Sequence, residues 1–292
     1  MRLFNLIFLT TIMSLSLSFS VATAAVSPRS FADLNTGLPP SLNEGIQLQS
    51  GRSYIFLILK GPSHVFDLRS GEHLRRSVLS MSGAKLDLGH AMLAWSCTDQ
   101  KNALRYEGAT GQTGEHKNQS LKMIASGWGM TTFLSTFTDG RLNRVSEVEK
   151  DMQSAAKEKS LRLVGFEVNE SQCFSMMNFV RRYADGPEQA QTQFGFTQNP
   201  FKYEGAGCGS FAAAGLTRAR VVPSLTPYLW RTLWVPHALM GQGSELPEAV
   251  AISSDWRLAG YVSPGRFENT PWQSTTATEK DPSVTIADPE ML

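Results

Sequence analysis

Residues 203–216 constrain this chain most: Tyr-Glu-Gly-Ala-Gly-Cys-Gly-Ser-Phe-Ala-Ala-Ala-Gly-Leu, small residues around one thiol, then an apolar alanine-rich run. Such a segment folds as a tight loop that ends where a helix begins, with Cys208 in the first turn. A helix N-terminus presents unpaired N–H groups and partial positive charge, and both favour thiolate over thiol. The glycines leave room for another molecule to approach the backbone. The competing reading is a small buried hydrophobe beside a helix start, because free cysteine is often buried.

The first residues bear on compartment. Arg2 supplies a positive charge, Leu3 to Val21 is mostly apolar, and Ala22-Thr23-Ala24 has the form of a cleavage site. This is the pattern of a secretory signal peptide over residues 1–24, with Ala25 as the neighbouring cleavage option. No cysteine lies near the site to carry a lipid anchor. No later run approaches the roughly 18 apolar residues that span a bilayer. The expectation is an exported chain, periplasmic or secreted, with no integral membrane segment. A net charge of +1 gives no argument for nucleic acid or an anionic membrane surface.

Three cysteines in an oxidising compartment invite pairing. A Cys97–Cys173 bridge would leave Cys208 free, an odd exported thiol. Either other pairing would consume it, and all three stay open at this point.

Residues 26–50 are rich in Ser, Pro, Asn and Gly and read as an irregular arm. Strands are expected at Tyr54–Leu59, His64–Leu68, Gly89–Ser96, Ala103–Gly108, Gly129–Thr138 and Leu161–Val168, from β-rich or alternating runs between turn residues. The Gly89–Ser96 and Ala103–Gly108 runs read as a hairpin turning at Asp99-Gln100-Lys101-Asn102. Helices are expected from Val145 to Lys159 and from a cap at Asn169 or Ser171 to Tyr183. Beyond Val221 the chain is Pro- and Trp-rich, and its last 25 or so residues are polar. Segregated strands and helices predict an α+β fold with an antiparallel sheet.

A cysteine nucleophile needs a base to take its proton and return it, and histidine suits neutral pH. A third polar group then orients the imidazole. Of His64, His73, His90, His116 and His237, the best placed is His90, which follows Gly89 at the head of an apolar strand. A hairpin turning near residues 98–102 would set His90 close to Glu107 on the next strand, making Glu107 the favoured orienting group, with Gln112 and His116 as alternatives. The bland readings are a solvated strand-edge histidine and an ordinary exposed carboxylate. Phe194, Phe196, Trp230 and Trp234 are candidates for an apolar pocket wall, although aromatic residues more often fill a core.

The order of these groups resembles a known family. A Gly-His on a strand, a polar residue on the next strand, and a helix-starting Cys 118 residues after the His resemble the circularly permuted papain-like hydrolases. These form the permuted branch of the NlpC-type cell-wall peptidase superfamily, which includes YiiX-like and lecithin:retinol acyltransferase-like enzymes. Leu163-Val164-Gly165-Phe166-Glu167-Val168-Asn169-Glu170-Ser171, followed by a helix to Tyr183, is similar to that family's strand, polar break and helix. Phe211, three residues after Cys208, matches its aromatic position, whereas Gly207 stands where the family has Asn.

The resemblance spans roughly residues 85–216. It implies a catalytic domain over residues 81–220; outside the resemblance, the chain's own composition gives an N-terminal arm with the first strands (25–80) and a C-terminal extension (221–292) expected to pack on the domain and end in a flexible tail. The resemblance implies Cys208 as nucleophile, His90 as general base, Glu107 as orienting residue and the Cys208 N–H in an oxyanion hole. The expected function is an exported cysteine hydrolase acting on peptide amides, peptidoglycan stem peptides included, or on lipid acyl groups, with no cofactor. No C-x-x-C or H-E-x-x-H spacing points to a metal site. The rival expectation is a non-catalytic binding or envelope-structural protein on the same fold.

Overall fold

The computed structural model describes residues 28–61, 89–114, 119–221, 230–270 and 283–287. The signal segment, the strand expected at His64–Leu68, His73 and His116 lie outside them. The helices and strands run α1 (Phe31–Leu34), α2 (Pro40–Gly45), β1 (Ser53–Lys60), β2 (His90–Asp99), β3 (Leu104–Thr110), β4 (Gln112–Thr113), α3 (Gln119–Ala125), α4 (Thr131–Leu134), β5 (Thr136–Phe137), β6 (Arg141–Leu142), α5 (Val145–Lys157), β7 (Leu161–Val168), α6 (Glu170–Asp185), α7 (Cys208–Arg218), β8 (Trp230–Trp234), β9 (Val250–Ala251), α8 (Pro264–Asn269) and β10 (Ser283–Ala287). The class is α+β, built on a four-stranded antiparallel sheet in the order β3-β2-β1-β7.

The sheet is covered on both faces, which is why β1 and β2 read as nearly continuous apolar runs rather than as alternating ones. Ile55 and Leu57 of β1 and Leu93, Trp95 and Cys97 of β2 join the α6 and α7 side chains in one cluster. Phe56 and Ile58, with Met92 and Ala94, face the opposite way and pack on Leu42 of α2 and on Val148 and Met152 of α5. A disulfide joins Cys97 to Cys173, with Cα atoms 5.6 Å apart, and so ties β2 to α6. Of the three pairings left open by sequence, this one leaves Cys208 free.

A second apolar unit sits beside this body. Met130 and Leu134 pack with Val235, Leu239, Met240, Val262 and Phe267, so residues 235–267 close on the segment between β4 and β6. The strand expected over Gly129–Thr138 is instead the short helix α4 followed by β5. The Thr131 hydroxyl donates to the Gly241 carbonyl at 2.8 Å, and the Ser135 hydroxyl donates one turn back to the Thr131 carbonyl at 2.6 Å.

Candidate active site

Helix α7 begins at Cys208, with Gly207 as its N-cap in extended conformation and the Phe211 N–H bonded to the Gly207 carbonyl at 3.0 Å. The Gly207 N–H donates to the Ser210 hydroxyl at 3.1 Å, which fixes the entry of the chain. The helix is seated by aromatic packing: the Phe211 ring meets Tyr183 edge-on at 4.9 Å and Phe179 at 5.6 Å. Gly215 lets the helix lie against Leu93 of β2, where a Cβ would collide with the leucine. These contacts place the Cys208 thiol at the end of the sheet where β2 begins.

His90 is the first residue of β2, and it meets Cys208 there through a side-chain hydrogen bond. Its Nε2 lies 2.9 Å from the Asn143 Oδ1. That contact leaves Nδ1 to face the sulfur, and it makes Nε2 the protonated nitrogen, because a carboxamide oxygen can only accept. Both His90 and Cys208 keep part of their surface exposed.

Electrostatics favour the charge-separated pair. Burial by itself would push the Cys208 thiol up, but the hydrogen bond and positive charge of His90, with the N–H groups of Ala91 and Gly209, bring it below the usual thiol range. Burial would likewise lower His90, yet the bond to Cys208, the thiolate charge and Asn143 leave it above the ordinary imidazole value. Each shift moves its group toward the charged form, thiolate for Cys208 and imidazolium for His90, and the thiolate is the nucleophilic form of sulfur.

Asn143 was not singled out by sequence, and a turn of backbone brings it in. After Thr110 the chain leaves β2 at Gly111, and Gln112 and Thr113 pair with Leu142 and Arg141 of β6 instead. The Asn143 N–H then donates to the Gly111 carbonyl at 2.9 Å. Gly111 is a steric requirement: a Cβ there would stand 2.8 Å from Met92 Cγ and 3.0 Å from His90 Nε2. Gly111→Ala should thus displace the imidazole and lower stability by about 1–3 kcal/mol through overpacking, measured by thermal melting.

Glu107 is not part of this group. The β2–β3 register sets Glu107 opposite Ser96, six residues further along β2 than His90, so the carboxylate is about 20 Å away along the strand. There it accepts from the Ser96 hydroxyl at 2.9 Å and pairs with Arg105 at 3.2 Å. The physical reason is the turn. Asp99 still belongs to β2, and its carboxylate gathers the Lys101 and Asn102 N–H groups while Ala103 adopts a left-handed φ of 53°. The hairpin consequently closes later than the expected register. Gln112 is buried but donates to the Gln191 carbonyl at 2.7 Å rather than to His90. His237 lies in a 3-10 turn of the C-terminal unit, between Val235 and Leu239 of its core.

Of the expected aromatic wall, Phe196 is the residue next to the nucleophile. Its ring is the nearest neighbour of a Cβ built on Gly207, at 3.7 Å, and it packs on the second apolar unit. Its segment is stitched down by paired bonds between Phe194 and Phe137, both 2.8 Å, and by the Ala206 N–H to the Gln193 carbonyl at 3.1 Å. Trp234 is 44% exposed on β8, and Trp230 begins the same strand. Among the described residues no three His, Cys, Asp or Glu side chains gather where a metal ion could bind. No described helix is long and apolar enough to cross a membrane.

No family model, curated protein or solved structure matches this chain. The site consists of three side chains: a thiol on the first residue of a helix, an imidazole bonded to it, and a carboxamide that fixes the imidazole tautomer.

Proposed function

We propose that this protein is an exported cysteine hydrolase of peptide amides or acyl esters, in which Cys208, His90 and Asn143 act as nucleophile, general base and orienting group. The observation that carries the reading is the Cys208–His90–Asn143 chain of hydrogen bonds at the start of a helix. The same order of groups supports a relationship to the permuted papain-like hydrolases, with Asn143 rather than Glu107 in the orienting role. The signal-like first 24 residues and the disulfide are compatible with an exported enzyme.

The Cys208 thiol passes its proton to His90 Nδ1, and the thiolate attacks the carbonyl carbon of an amide or ester. The resulting oxyanion is met by backbone N–H groups at the start of α7, that of Cys208 among them, and such donors are each worth about 3–4 kcal/mol in sites of this kind. When the tetrahedral intermediate collapses, the amine or alcohol leaves with the proton held by His90. Water, deprotonated by the now neutral His90, then cleaves the thioester to the acid and the free thiol. Asn143 accepts from Nε2–H throughout and keeps Nδ1 aimed at the sulfur.

Alkylation of the purified mature protein by iodoacetamide, followed by intact mass from pH 5 to 9 without reductant, tests the reading. A single adduct on Cys208 whose rate persists well below the ordinary thiol titration is the expected result, because the thiolate is the reacting form. Turnover of a substrate should be bell-shaped in pH. It should rise as Cys208 deprotonates below the usual thiol range and fall as His90 loses its proton above the usual imidazole range, both limbs belonging to the coupled pair. Reaction only at alkaline pH would turn the assignment to a binding or structural protein.

A further inference from the structure

We infer that Thr110 is a positioning residue for the thiol–imidazole pair and that it acts through the backbone of Asn143. The inference rests on the hydrolase reading above. Thr110 is the last residue of β3 and is fully buried, and its hydroxyl donates to the Asn143 carbonyl at 2.8 Å. The Asn143 N–H is already held by the Gly111 carbonyl at 2.9 Å. Both polar groups of one peptide neighbourhood are thereby fastened to adjacent residues of a single strand end.

The position of Asn143 explains why such a clamp matters. The ladder of α5 opens on the Arg144 carbonyl, which accepts from Val148 at 3.0 Å and from Glu147 at 2.9 Å. The Asn143 carbonyl falls one residue short of the helix, and the Thr110 hydroxyl supplies the donor that the helix does not. A buried carbonyl without a partner is costly, so removing the hydroxyl favours a rotated Asn143 whose carbonyl reaches water. Its carboxamide would then no longer sit 2.9 Å from His90 Nε2. A merely filled core position would not show this dependence, because valine fills the same space as threonine.

The test is the pH profile of Cys208 alkylation in Thr110→Val, in Thr110→Ser and in Thr110→Val combined with Asn143→Ala. In folded Thr110→Val the rate at pH 6 should fall about fivefold as the thiolate titration moves toward its ordinary range. Thr110→Ser should restore the native profile to within about twofold, since it keeps the donor. With Asn143→Ala present, the threonine change should add nothing, because residues acting as one unit are not additive. Thr110→Ala replaces the valine variant if the latter does not melt cooperatively. A native profile in the folded variant, or an undiminished shift in the Asn143→Ala background, overturns the inference while leaving the hydrolase reading standing. A native protein with an ordinary thiol titration overturns both.

Discussion

Replacing His90 with alanine should slow alkylation of Cys208 at pH 6 by roughly an order of magnitude, because the thiolate is the reacting form. An ordinary thiol, with pKa near 8.5, is about one part in 300 thiolate at that pH. The lowered Cys208 value depends chiefly on the His90 hydrogen bond and charge, which act against burial. Removing both leaves a desolvated thiol at a helix start, with only the Ala91 and Gly209 N–H groups to favour its charge. The gain in thiolate is partly offset by lower intrinsic nucleophilicity, which falls with pKa at a Brønsted slope of about 0.4–0.5, so the rate changes by less than the thiolate population does. The stability effect runs in the same sense as the chemistry. The His90 value is raised on folding, so its contribution is present below the unfolded imidazole value and lost as pH rises through the folded one. The variant is read by intact mass over time, and a rate unchanged at pH 6 would break the link between His90 and the thiol.

Converting both Cys97 and Cys173 to alanine should lower the stability of the folded chain by about 4 kcal/mol. The bridge closes a loop across a sequence separation of 76 residues, and the chain-entropy cost of leaving such a loop open falls in that range. Both sulfurs lie in the main cluster at 0% exposure, so the packing loss adds to the entropic one. For a chain of this size the expected fall in melting temperature is about 10 °C. Replacing both cysteines together avoids a new free thiol, and Cys208 should remain the single alkylated site. A melting temperature within a degree or two of the native protein would mean that the packing of β2 on α6 holds without the bridge.

What sequence could convey divides along physical lines. The apolar run of β1, the strand β7 and the capped helix α6 are local signals, and the structure places them where the patterns do, with Asn169 capping α6. Cys208 at a helix start follows from the small residues around it, again a local property. The third member of the site is not local. Asn143 precedes a helix, where an asparagine is ordinarily read as a cap, and its contact with His90 depends on β3 turning aside at Gly111. Glu107 was favoured through a hairpin register that a three-residue difference in strand length displaces by six positions, since each residue of added strand shifts the pairing by two. The helix at Thr131–Leu134 escaped for a related reason: its β-rich composition yields to the apolar partners Met130 and Leu134 find in residues 235–267.

Strand β2 carries His90 at its first position and the bridged Cys97 at its eighth, about 24 Å apart. The covalent tie to α6 and the pairing with Tyr106 both fall at the far end. At the near end β2 keeps its ladder to β1 as far as the Lys60–His90 pair, whereas the pairing with β3 ends at Leu93 and Thr110, where β3 turns away at Gly111. Local opening in a folded protein takes the route that breaks fewest interactions. With one strand neighbour instead of two, residues 90–92 are where this strand opens most easily, short of the crosslink. Opening at this end would move the surroundings of Cys208 while the crosslink to α6 keeps the rest of the strand in one register.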